Sequence, residues 1–219
     1  MLQEDKRKWV RIKLLILSGN YFFYHQEKET MNNFNLISEL INFEDKNDFY
    51  FIQIFKRRKD NPEMKRDVTL IDNFFIYSKD EFEKVKEKII NLCDSNNARA
   101  YIRLNRRNAK KIAHKTMIIM AESIDSENYR LENAYLSACG KFNSEKNKKW
   151  IIDLDYPEIL DKIIEYLKTI TEVISIIPTK NGYHIVVKPF NPNLLKNCSN
   201  EKIKNSEIKD DSPTVLYCK

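Results

Sequence analysis

Glycine is nearly missing from this sequence, with 3 in 219 residues. Turns therefore fall to Asn and Asp, and no Gly/Ser-rich or Pro-rich linker divides the chain. No internal repeat is visible. Histidine is as scarce, and His25 and His114 have no motif around them. The 4 cysteines, Cys93, Cys139, Cys198 and Cys218, are far apart and form no CxxC pair. That argues against a zinc site and for a reduced intracellular compartment. No apolar run approaches the ~18 residues of a membrane span. Near the N-terminus the apolar "LLIL" is short and follows Arg11 and Lys13, so no cleaved leader is expected. The expectation is a soluble, cytoplasmic protein.

What is present is a core. Hydrophobic residues make up 42% of the chain, with 12 Phe and 11 Tyr, which excludes a disordered polyelectrolyte. The length suits one domain, or two small modules sharing an interface. The net charge of +6 is mildly basic and suits a polyanionic partner without demanding one.

Periodicity predicts the elements. Residues 7–24 read as a strand pair or a short helix, and 33–43 have helical spacing. "FYFIQIFKRR" (49–58) and "VTLIDNFFIYS" (68–78) form a hairpin around Asn61-Pro62. Ser78 then caps a helix, 99–104 is a strand, 108–124 a helix, and 125–140 mostly helical. In the second half, 148–156 is a strand and 157–170 a helix opened by Pro157. Strands 173–179 and 183–190 flank a turn, and 213–219 is a last strand. The class is α+β, with mixed or antiparallel sheets and flanking helices.

Two stretches carry chemistry. In "WIIDLDY", Asp153 and Asp155 are two apart on a strand and so share a face. Paired carboxylates on one face raise each other's pKa unless a cation intervenes, and hard divalent ions suit them. In "IIPTKNGYHIVV", a turn of Thr179, Lys180, Asn181 and Gly182 leads into His184. Those groups suit phosphate. If consecutive strands are neighbours, His184 stands beside the carboxylates. A third acid, Asp210 or Asp211, precedes the last strand in "KDDSPTVLY". Each feature also has a plain reading: a solvated strand end, a strand histidine and good turn chemistry.

In that order the three motifs resemble the archaeo-eukaryotic primase superfamily, above all the primase-polymerases of plasmids and phages. The resemblance covers roughly residues 148–217, with 29 residues from Asp155 to His184 and 26 from His184 to Asp210. It departs at Gly182, where the family usually has a serine two before the histidine. It implies a catalytic unit over 148–219 of the kind seen in RNA-recognition-motif folds, preceded by a nucleic-acid-binding α/β module over 1–147. Together these make a minimal catalytic domain. It further implies template-directed nucleotidyl transfer with Mg²⁺ or Mn²⁺ held by Asp153, Asp155 and Asp210 or Asp211. His184 and the turn 179–182 would hold the nucleoside triphosphate. The expected partners are single-stranded DNA template and nucleoside triphosphates, with a helicase or other replication protein as a further one. No membrane partner is expected, and the setting is bacterial plasmid or phage replication.

A basic stretch fits that picture. "ARAYIRLNRRNAKK" gathers Arg99, Arg103, Arg106, Arg107, Lys110 and Lys111 with no acid among them. Arg99, Tyr101 and Arg103 alternate onto one strand face, so phosphate contacts would flank an aromatic. The hairpin tip adds Lys56, Arg57, Arg58 and Lys59. Two rival functions use the same residues. One is a metal-dependent nuclease or phosphodiesterase, the other a non-catalytic nucleic-acid-binding module.

Overall fold

The computed structural model describes residues 30–219 apart from 128, 130 and the side chain of 132. The predicted element within 7–24, and His25, lie outside the described residues. A short strand β1 (Met31–Asn32) leads into helix α1 (Phe34–Leu40). The aromatic hairpin forms as expected, from β2 (Asp48–Arg57) and β3 (Val68–Ile76) in antiparallel register. Ser78 caps helix α2 (Lys79–Asn96), its side chain accepting from the Glu81 amide. The helix ends at Asn97 with φ 46°, an asparagine in the left-handed role that glycine usually fills. Strand β4 (Arg99–Arg103) and the two-residue β5 (Arg107–Asn108) follow. Asn108 then caps α3 (Ala109–Asp125), which packs with α4 (Ala134–Lys141).

The second half builds its own sheet. Strand β6 (Trp150–Leu154) runs through a 3-10 turn at Pro157–Ile159 into α5 (Leu160–Ile170). Strands β7 (Val173–Pro178) and β8 (Tyr183–Val187) form the predicted hairpin. Short helices α6 (Pro192–Lys196) and α7 (Glu201–Lys204) precede a three-residue strand β9 (Glu207–Lys209). The order is β7-β8-β6-β9, antiparallel throughout. Ile152, Leu154, Ile185 and Val187 point to one face, where Ile163 and Leu167 of α5 bury them.

The last strand, β10 (Pro213–Cys218), does not join this second sheet. It pairs with β4 and β1, completing a six-stranded first sheet of order β1-β10-β4-β2-β3, with β5 attached to β2. The module expected over 148–219 therefore returns its end to the other module. The physical reason is that β4 has an edge to satisfy and β10 carries Leu216, fully buried with Ile52 and Ile102. Ile151, Ile177 and Val186 share that same core. The two sheets thus pack face to face, with α1 and α2 sharing the first sheet's inner face. The fold is α+β, with antiparallel sheets and flanking helices.

Candidate functional site

The two chemical motifs meet. β6 and β8 pair so that Asp153 lies directly opposite His184. Both alternate onto the face turned to the first sheet, in line with Ile151 and Val186. His184 Nε2 is 3.4 Å from Asp153 Oδ1, and Nδ1 is 2.8 Å from the Thr214 hydroxyl. Thr214 is fully buried on β10, so the first sheet supplies the ring's second anchor. The other carboxylate oxygen of Asp153 accepts from Lys209 Nζ at 2.5 Å. The hydrogen bond with His184, followed by that from Lys209, holds the Asp153 carboxyl well below the usual carboxylate range, against the opposing effect of burial. The Lys209 ammonium is pushed up by Asp153 and Glu207 although burial opposes it.

Gly182 is explained by close approach. A Cβ there would stand 1.9 Å from the Leu154 carbonyl oxygen and 3.3 Å from Asp155 Cα. A serine, which the resembling family usually carries here, does not fit. Only a bare Cα lets the turn lie against the backbone of the DxD segment. The turn closes on itself: Thr179 N–H donates to the Gly182 carbonyl at 2.9 Å, and Gly182 N–H to the Thr179 hydroxyl at 3.1 Å. The Gly182 amide is thus committed within the turn. Lys180 reaches across to Asp60 at the β2–β3 tip at 3.3 Å, and Asn181 is exposed at the turn's apex. Asp155 is exposed just past β6.

The third acid does not come to this rim. β9 pairs with β6 so that Glu207 faces Asp153 and Lys209 faces Ile151. Residues 210 and 211 therefore lie beyond Ile151, away from Asp155. Asp210 is exposed, and its carbonyl accepts from Asn105. Asp211 is locked inside. Its carboxylate accepts from the fully buried Arg107 at 2.6 Å and from Asn105 at 3.1 Å. The carboxylate that β9 sets next to Asp153 is Glu207, which forms a 3.1 Å ion pair with Lys209. Asp153, Asp155 and Glu207 are the hard oxygen donors that fit a divalent cation chemically, and Asp211 does not fit. Among the described residues no group of three or more His, Cys, Asp and Glu stands close enough to hold a metal ion.

The basic stretch is mostly interior, which corrects its reading as a nucleic-acid surface. Arg99 is buried and doubly bonded to Asp60 at 2.6 and 2.7 Å. Arg106 is buried between Glu44, Asp48 and Glu145. Arg107 is wholly enclosed, donating to Asp211 and to the Asn105 and Cys139 carbonyls. The acids that neutralise them are distant in sequence, so a stretch without acids looked free. Arg103 is half-buried and donates to the Asp211 carbonyl, while its Nε has no partner. Lys110 and Lys111, in the first turn of α3, are exposed.

Sequence reasoning passed over Glu207, Lys209 and Thr214. The polar-apolar-polar alternation of Glu207-Ile208-Lys209 was the one available signal, and three residues are too few to read. Comparison with protein-family models, curated proteins and solved structures finds no match.

Proposed function

We propose that the chain is a metal-dependent nucleotidyltransferase that copies a nucleic-acid template from nucleoside triphosphates, as primase-polymerases do. The observation that carries this reading is the pairing of Asp153 with His184 across β6 and β8, beside a turn packed on Asp155. Motifs 29 residues apart in sequence share one rim between two sheets. On this reading Asp153 and Asp155 would hold Mg²⁺ or Mn²⁺ once Asp153 exchanges Lys209 for the ion, because the described carboxylates do not stand gathered for one. Such an ion would supply charge neutralisation for the triphosphate and would favour ionisation of an attacking hydroxyl.

The chain's own residues have separate tasks. Thr214 holds the imidazole through Nδ1 while Nε2 faces Asp153, so the ring is fixed at the rim, where a phosphate oxygen would take Nε2 in exchange for the carboxylate. Lys209 holds Asp153 ionised and supplies a cation for the same phosphates. Lys180, on the turn, is a further donor. In the reaction a 3′-hydroxyl oxygen bonds to the α-phosphorus while the bond to the pyrophosphate oxygen breaks. The setting is cytoplasmic. Four free cysteines, three of them buried, suit a reducing compartment, and no described helix is long and apolar enough to cross a membrane.

The test is synthesis or extension of a primer on a single-stranded template, with nucleoside triphosphates and Mg²⁺ or Mn²⁺. The expected result is product from the wild type and none from Asp153→Asn. Degradation of the oligonucleotide without triphosphates would instead assign a nuclease. Binding with neither activity would assign a non-catalytic module.

A further inference from the structure

The outer face of the first sheet is only half covered. α3 and α4 bury Phe49 and Phe51 at one end, through Ile112, Ala138 and Cys139. Toward the β2–β3 tip the same face carries Phe55 and Tyr101, with Gln53 opposite Tyr101 and hydrogen-bonded to Asn73. On β3, Val68 and Leu70 remain 47% and 38% exposed. The Phe55 and Tyr101 rings lie 6.1 Å apart, tilted by 51°. Arg57 flanks them and donates to the Tyr101 hydroxyl at 3.0 Å. On the other side of Tyr101 stands Arg103, whose Nε is buried without a hydrogen-bond partner. An open groove of about 500 Å³, lined by Arg57, Arg58, Lys59, Pro62, Val68 and Asp67, which pairs with Arg58 at 2.8 Å, continues this face around the tip with a net excess of cations.

We propose that this half-open face binds single-stranded nucleic acid, with bases on Tyr101 and Phe55 and phosphates on Arg57 and the hairpin groove. The proposal rests on the polymerase reading and names where its template lies. Guanidiniums beside an aromatic pair are complementary to a chain that is anionic outside and flat inside. A duplex keeps its bases stacked on one another and has no ring face to offer, so the occupant is a single strand. The tip also links this face to the candidate catalytic rim. Asp60 is bonded by Arg99 from the outer face and by Lys180 from the nucleotide turn.

The experiment is fluorescence anisotropy of a labelled oligothymidylate of about 16 nucleotides, titrated with the full chain over a range of salt, without triphosphates. Tyr101→Ala should weaken binding roughly tenfold or more, and Tyr101→Phe should retain it. Arg57→Gln should lower the salt slope by about one. Lys162→Ala, exposed on α5, should leave binding unchanged. If Tyr101→Ala lowers the melting temperature, the Arg57→Gln slope decides. No binding at low salt, binding unmoved by Tyr101→Ala and Arg57→Gln, or equal loss through Lys162→Ala, would overturn the proposal. Primer extension that survives with binding unmoved by these variants sinks the proposal alone. Binding that depends on Tyr101 without any synthesis sinks the polymerase reading alone.

Discussion

At Gly182 a single hydrogen atom decides whether the 179–182 turn can touch the DxD strand. The Leu154 carbonyl oxygen would be 1.9 Å from any Cβ, and that oxygen belongs to backbone that cannot swing away. Gly182→Ala should therefore lower stability by about 1–3 kcal/mol, the usual range for overpacking, and, on the proposed mechanism, weaken nucleoside triphosphate binding. Chemical denaturation and titration with a fluorescent triphosphate would measure the two effects. Thr214 gives a subtler case. Thr214→Ser keeps the hydroxyl that anchors His184, and Thr214→Val keeps the volume but loses it. On the proposed mechanism, the valine variant should raise KM for the triphosphate while the serine variant stays near wild type. Equal behaviour of both would make the contact purely structural. Arg107 is the largest fully buried side chain, and its charge is met by Asp211. Arg107→Leu should cost about 3–5 kcal/mol, because the largely enclosed Asp211 carboxyl loses its partner. The double change Arg107→Leu/Asp211→Leu should recover part of that loss, as read from unfolding midpoints.

Elements with local signals were legible, and those without were not. Ser78 and Asn108 announce α2 and α3 because a side-chain oxygen before an apolar-periodic stretch satisfies an amide that the helix leaves open. Ser78→Ala should cost about 1 kcal/mol in thermal unfolding. The β2–β3 and β7–β8 hairpins were readable from β-branched and aromatic runs around polar turns. β1 and β9, at two and three residues, carry too little pattern to register. Their effects are nonetheless large. β9 decides that Glu207 and Lys209 flank the Asp153 end of the sheet, and that Asp210 and Asp211 do not. The third acid was placed by order along the chain, whereas antiparallel register places it by counting residues backwards across the sheet.

For the whole molecule, the union of the two sheets rests on an apolar core and a few polar bridges. Asp60 ties the first sheet's hairpin tip to Lys180, and Thr214 of the first sheet anchors His184, which Asp153 holds together with Lys209 on the second. Burial raises the Asp60 carboxyl, and its bonds to Arg99 and Lys180 more than reverse this, leaving it below its ordinary value. The Asp153 carboxyl is held low by His184 and Lys209. A carboxyl depressed in the folded state binds its proton more readily when unfolded. Its stabilisation is present above the ordinary value of 3.8 and is lost as pH falls through the depressed one. Stability owed to these two groups should be level from about pH 7 to pH 4 and fall below about pH 4. Asp153→Asn should flatten that fall, as urea midpoints across the range would register.

The sequence by itself determined the α+β class, most element boundaries, and the nearness of Asp153 and His184. Each of these follows from period, capping or the pairing of consecutive strands, which are properties of short stretches. Only the tertiary structure decided which charges are free. The arginines of 99–107 face acids at 44, 48, 60, 145 and 211, and no local window holds both partners. It also sent β10 back to the first sheet, because an unsatisfied edge and a buried Leu216 outweigh nearness along the chain.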